Sequence, residues 1–136
     1  MGTLIAQRLD SLAQLSGRFQ MLAPEEVRRR VAELVSYFAD SGASSDCVTE
    51  TFDANYLLTH DIADWLRARG LPNEQVNVFW PSDQEGASLE LKDFLEHLDE
   101  LWFPSSDDVI VESSTKRFMF EIDHEEQVKL LRWDAI

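Results

Sequence analysis

The feature that most constrains this chain is a change of apolar period at Pro104. Before it, Leu91, Phe94, Leu95, Leu98, Leu101 and Trp102 recur at helical spacing, so the segment from Ser88 is expected to be an amphipathic helix. After it the period is two. Val109 and Val111 share a face in DVIVE, as do Phe118, Phe120 and Ile122 in RFMFEI, and Val128 and Leu130 in QVKLL. The links Ser113–Thr115 and Asp123–Glu126 are short and polar, which suits tight hairpins. Ser88–Trp133 therefore predicts a helix packed on an antiparallel meander.

The segments upstream are mainly helical in pattern. Thr3–Met21 carries an apolar stripe of Leu4, Ile5, Leu9, Leu12, Leu15 and Phe19. Pro24 suits the first position of a second helix, with Glu25 and Glu26 in its first turn and Val27, Val31, Leu34, Val35 and Phe38 on its apolar face. Arg28, Arg29 and Arg30 are consecutive, fan round that helix, and read as a solvated face pairing with neighbouring acids in preference to an anion site. Ser41–Asp46 is a turn-rich loop. A third helix is expected over Asp53–Arg69, with an interruption near Thr59; Gly70 follows at its C-terminal cap and Pro72 just beyond. Val76–Trp80 is a strand candidate and Pro81–Gly86 an acidic loop.

The order of elements predicts an α+β fold, with N-terminal helices on one face of a small, mainly antiparallel sheet. The sheet is expected to have about four strands: Val76–Trp80, Val109–Glu112, Arg117–Ile122 and Gln127–Trp133. A single domain is expected over residues 1–136, helical to about residue 70 and strand–helix–meander over about residues 74–134.

Charge is the unusual property. The chain has 26 Asp and Glu against 12 Lys and Arg, a formal charge of -14. Five Arg face four acids up to Ser36, three bases face fourteen acids from Tyr37 to Glu100, and four bases face eight acids beyond. Such a balance repels nucleic-acid backbone and attracts basic partners, so direct nucleic-acid binding is not expected. Cys47 is the lone cysteine, which rules out an internal disulfide framework. No signal-peptide pattern and no apolar run of membrane-spanning length is present. A cytoplasmic protein with no membrane association is the expectation.

No nucleophile elbow, glycine-rich phosphate loop, EF-hand or HExxH spacing occurs, and no cofactor is predicted. Asp123, His124 and Glu125, with Asp107 and Asp108 near the start of a neighbouring strand, are the one group that suits a divalent ion or acid–base work. The competing reading is a solvated hairpin turn. His60 and His97 read as surface residues. Trp80, Trp102 and Trp133 each end an apolar segment, where indoles close the rim of a core or anchor an interface.

On the helix expected from Ser88, Glu90, Asp93, Glu96, Asp99 and Glu100 lie away from the apolar stripe, and Asp107 and Asp108 follow it. Like charges at these spacings repel, a cost that a basic partner would relieve. These seven residues are the candidate partner-binding set; the competing reading is a highly charged face kept for solubility.

The run LWFPSSDDVIVESSTKRFMFEIDHEEQVKLLRW, with WFPSSDD ahead of one strand and DHEE before the last, resembles the C-terminal part of small bacterial cytosolic proteins, some of them immunity proteins of polymorphic toxin systems. The resemblance implies a non-enzymatic inhibitor that binds a cognate toxin domain and blocks its active site. The acidity fits a toxin with a basic, nuclease-type cleft. Two other readings stay open: a structural or regulatory adaptor that homodimerises through its N-terminal helices, and a metal-dependent enzyme using the Asp123–Glu125 group.

Overall fold

A computed structural model of the chain describes residues 19–39, 48–53, 59–102 and 108–133. The strands are β1 (Phe19–Met21), β2 (Val48–Asp53), β3 (Gln75–Trp80), β4 (Glu85–Glu90), β5 (Val109–Ser113), β6 (Phe118–Ile122) and β7 (Gln127–Arg132). The helices are α1 (Pro24–Ala39), α2 (Thr59–Ala68), α3 (Leu91–Glu96) and α4 (Leu98–Leu101). The strands form one seven-stranded sheet in the order β1-β4-β3-β5-β6-β7-β2, antiparallel at every junction.

The meander β5–β6–β7 lies where period-two spacing puts it, and α1 starts at Pro24. The α+β class holds, but the sheet is larger than the expected four strands. The segment Glu85–Glu90 is a strand, not loop and first helical turn: it pairs along its whole length with β3, from Gln75↔Glu90 to Trp80↔Glu85. Its alternation is masked by small residues, with Ala87 and Leu89 facing one side and Gly86 the other. A Cβ on Gly86 would lie 2.9 Å from Val27 Cγ2, so the absent side chain is what lets α1 approach β4.

The expected third helix also starts late. Asp53 ends β2, and the helix begins at Thr59. Gly70 at φ 67 terminates it as expected, with its N–H donating to the Arg67 carbonyl at 3.0 Å. β2 alternates Val48, Glu50 and Phe52 against Thr49, Thr51 and Asp53, with an acid interrupting the apolar side. Tertiary contacts complete it. Phe52 stacks on Trp65 with centroids 5.2 Å apart, Arg69 lies over Trp65 at 4.4 Å, and Arg69 pairs with Glu50 at 3.1 Å. The expected helix over Thr3–Met21 ends in β1, while its residues up to 18 lie outside the described residues. So do the Ser41–Asp46 loop and Cys47. β1 and β2 take the two edges of the sheet.

The helices do not share one face. Ile62, Leu66, Leu91, Phe94, Leu98, Leu101 and Trp102 pack on the side of the sheet that carries Val78, Val111, Phe120 and Leu130. Val27 and Leu34 of α1 pack on the other, against Phe79, Ile110, Met119 and Leu131. Alternation along β3, β5, β6 and β7 supplies both sets. Trp80 and Trp102 are buried core residues rather than rim residues, and Trp80 Nε1–H donates to the Leu101 carbonyl at 2.7 Å.

A buried ion pair fastens α1. Glu112 on β5 is fully buried and accepts from Arg30 Nε at 3.2 Å, from Arg30 Nη2, and from Lys116 Nζ at 2.7 Å. Burial pushes the Glu112 carboxyl up, but these bonds outweigh it and hold it below the ordinary carboxylate range. Arg30 was expected to be solvated; it is the residue of the arginine run that turns inward.

Candidate functional site: the acidic end of the sheet

Strand register gathers carboxylates at one end of the sheet. β5 begins just after Asp108, β6 leads into the turn Asp123–Glu126, and β2 ends at Asp53 opposite Gln127. One rung across the sheet reads Ile110, Glu121, Lys129, Thr51. Beside it a cavity of about 220 Å³ is lined by Thr51, Asp53, Glu121, Asp123, Gln127 and Lys129, among others.

The turn is built by Asp123. Its Oδ1 accepts the N–H groups of Glu125 at 2.9 Å and Gln127 at 3.0 Å, while the Glu126 N–H donates to the Asp123 carbonyl at 2.9 Å. Aspartate favours such self-bonded turns. Glu126 occupies the left-handed region at φ 64, where glycine is the unstrained choice. Next to it, Asp108 Oδ1 accepts the His124 backbone N–H at 2.7 Å and lies 3.0 Å from His124 Nδ1. That bond, and then the negative charge of Asp108, raise the His124 pKa above its ordinary value.

Glu121 is half-buried, and its pKa is pushed up to about 7. Burial is the main cause, reinforced by the charges of Asp123 and Asp108 and opposed by Lys129 and His124. Glu121 was not among the residues singled out from sequence. Alternation does mark Glu121, the acid on the opposite side of β6 from Phe118, Phe120 and Ile122. What sequence does not reveal is that β2 closes beside β7 and builds the cavity wall.

Antiparallel pairing thus brings Asp108 and His124 together. It does not add Asp123 and Glu125 to a metal-holding group: among the described residues no three His, Cys, Asp or Glu side chains are so arranged. Asp107 lies outside the described residues.

The helix acids are dispersed. The expected single helix is two short ones broken at His97, and it starts at Leu91. Asp93 is 1% exposed, so its carboxylate is not offered at the surface. Glu90 is half-buried at the end of β4, while Glu96 and Asp99 are exposed. Glu100 belongs to α4, with its side chain outside the described residues.

Among the described residues no helix is long and apolar enough to cross a membrane. Compared with known proteins, the chain matches no family model, no curated sequence and no solved structure.

Proposed function

We propose that this chain is a protein-binding inhibitor of the immunity type, which neutralises a basic partner, such as a toxin domain with a nuclease-type cleft, by laying its acidic end over that cleft. The observation that carries this reading is the convergence of Asp53, Asp108, Glu121, Asp123, Glu125 and Glu126 at one end of the sheet, with Lys129 and His124 to offset them. The charges of Asp123 and Asp108 push the Glu121 pKa up, and a cationic partner would remove that repulsion as it binds. A net charge of -14 steers a basic partner toward the chain over roughly a Debye length, about 30 Å at 0.01 M salt. Glu90, Glu96, Asp99 and Glu100 form a second candidate surface under this reading, with Asp93 withdrawn by its burial.

The test is affinity capture from nuclease-treated lysate, comparing the tagged wild type with an Asp53→Asn, Glu125→Gln, Glu126→Gln variant at low and high salt. The expected result is a basic protein held by the wild type, released by salt and depleted with the variant. Equal recovery by both forms would move the interface elsewhere, and recovery of the bait alone would overturn the proposal.

A further inference from the structure

Between α2 and α3 lies a second cavity of about 220 Å³, lined by different residues from those of the acidic end. Its floor is aliphatic. Leu66, Leu91 and Leu95 are buried and Leu71 is half-buried. Its rim carries Arg67, Lys92 and Asn73. Among the described residues no carboxylate lines it, although acids outnumber Lys and Arg by 26 to 12 in this chain.

The two walls are fixed to each other. The left-handed Gly70 reverses the chain after α2, bringing Leu71 and Asn73 toward α3, and Asn73 Oδ1 accepts the Lys92 backbone N–H at 3.0 Å. Lys92 is exposed, and its ammonium forms no ion pair among the described residues. Arg67 bonds Asp64 through one guanidinium nitrogen at 3.0 Å, which leaves further N–H donors of its fork unused by that pair.

A leucine floor beneath a cationic rim has the polarity of an amphipathic anion, with its chain inside and its charge at the mouth. The volume is smaller than the roughly 300–1,000 Å³ of pockets that hold drug-sized ligands, so the chain must be short. We propose that this cleft binds a short aliphatic monocarboxylate, its tail against Leu66, Leu71, Leu91 and Leu95 and its carboxylate between Lys92 and Arg67. This site does not depend on the inhibitor reading, which rests on the opposite charge at other residues.

The test is an amide NMR titration of the full chain with butanoate, hexanoate and octanoate, using octanol and octylammonium as controls. Shifts are expected at Arg67, Leu71, Asn73 and Lys92. Affinity should rise about fourfold per added methylene until the cleft is full. Octanoate should bind more tightly than octanol, and octanol more tightly than octylammonium. Lys92→Gln should weaken octanoate binding about threefold, the scale of an exposed ion pair, while Lys92→Arg retains it. Because Lys92 is exposed, both variants keep the fold. Equal binding of octanol and octanoate would overturn the carboxylate assignment. Shifts confined to other residues, or none below the micelle limit, would overturn the site.

Discussion

His124 meets Asp108 twice, through its backbone N–H at 2.7 Å and its ring Nδ1 at 3.0 Å, both at the same carboxylate oxygen. The pair ties the β6–β7 turn to the start of β5 and gives the acidic end a proton-sensitive clasp. In the folded chain His124 holds its proton above the pH at which a free histidine releases it. The stabilisation is therefore complete below the ordinary histidine pKa and is lost as pH rises through the raised one. Asp108→Asn should bring the His124 titration, followed by its ring-proton NMR shift, back toward 6.5. An unchanged titration would show that the bond does not govern the ring.

Glu121 works over a neighbouring window. Its pKa rises from 4.5 in the free group to about 7, so the folded protein keeps a proton that the unfolded chain gives up. Stability falls as pH climbs across that interval, and Glu121→Gln should remove the fall. Urea unfolding at pH 5 and pH 8 should show wild type losing more on going to pH 8 than the variant. Parallel losses would mean that Glu121 ionises without cost.

Arg30 and Glu112 make a bond that is costly to break by halves. Arg30→Ala leaves a fully buried carboxylate with Lys116 alone and should cost about 3 kcal/mol in urea unfolding. The double change Arg30→Met, Glu112→Leu should recover most of the loss, because an apolar pair carries no desolvation penalty. If the double variant is as weak as the single one, packing rather than charge fixes α1.

Gly86 sets how closely α1 sits on the sheet. Gly86→Ala forces a methyl to within 2.9 Å of Val27 Cγ2 and should cost about 1–3 kcal/mol in thermal or urea unfolding. In a Val27→Ala background the same substitution should cost clearly less. Equal costs in both backgrounds would place the constraint in the backbone.

Glu74 anchors the other hairpin. It accepts from Ser113 Oγ at 2.9 Å, Thr115 Oγ1 at 2.7 Å and Arg117 Nη2 at 2.8 Å. Burial pushes its carboxyl up, yet these bonds together bring it down to about 2 from 4.5. That stability is present above the free value and disappears as pH falls toward 2. Glu74→Gln should cost about 1–3 kcal/mol at neutral pH and flatten the acid limb of the unfolding curve. A variant with the wild-type acid limb would deny Glu74 this role.

The meander was legible because Val109, Val111, Phe118, Phe120, Val128 and Leu130 alternate without interruption, and tight polar turns leave little choice of register. α1 was legible from Pro24 and the spacing of Val27, Val31 and Leu34. β4 was not, because Gly86 and Ser88 offer no apolar period on their side. β2 was hidden by Glu50, an acid in an apolar row whose partner Arg69 lies on another element. The acidic end was half visible. The nearness of Asp108 and His124 follows from hairpin pairing, whereas the burial of Glu121 depends on β2 joining β7, a long-range pairing that local pattern does not encode.

That pairing also sets an order of events during synthesis. Val48–Asp53 leaves the ribosome well before Gln127–Arg132, the strand it pairs with. Until then its hydrogen-bonding groups have no ladder and Phe52 has no Val128 beside it. The nascent chain carries an open edge until that later strand has emerged, and the sheet closes only then.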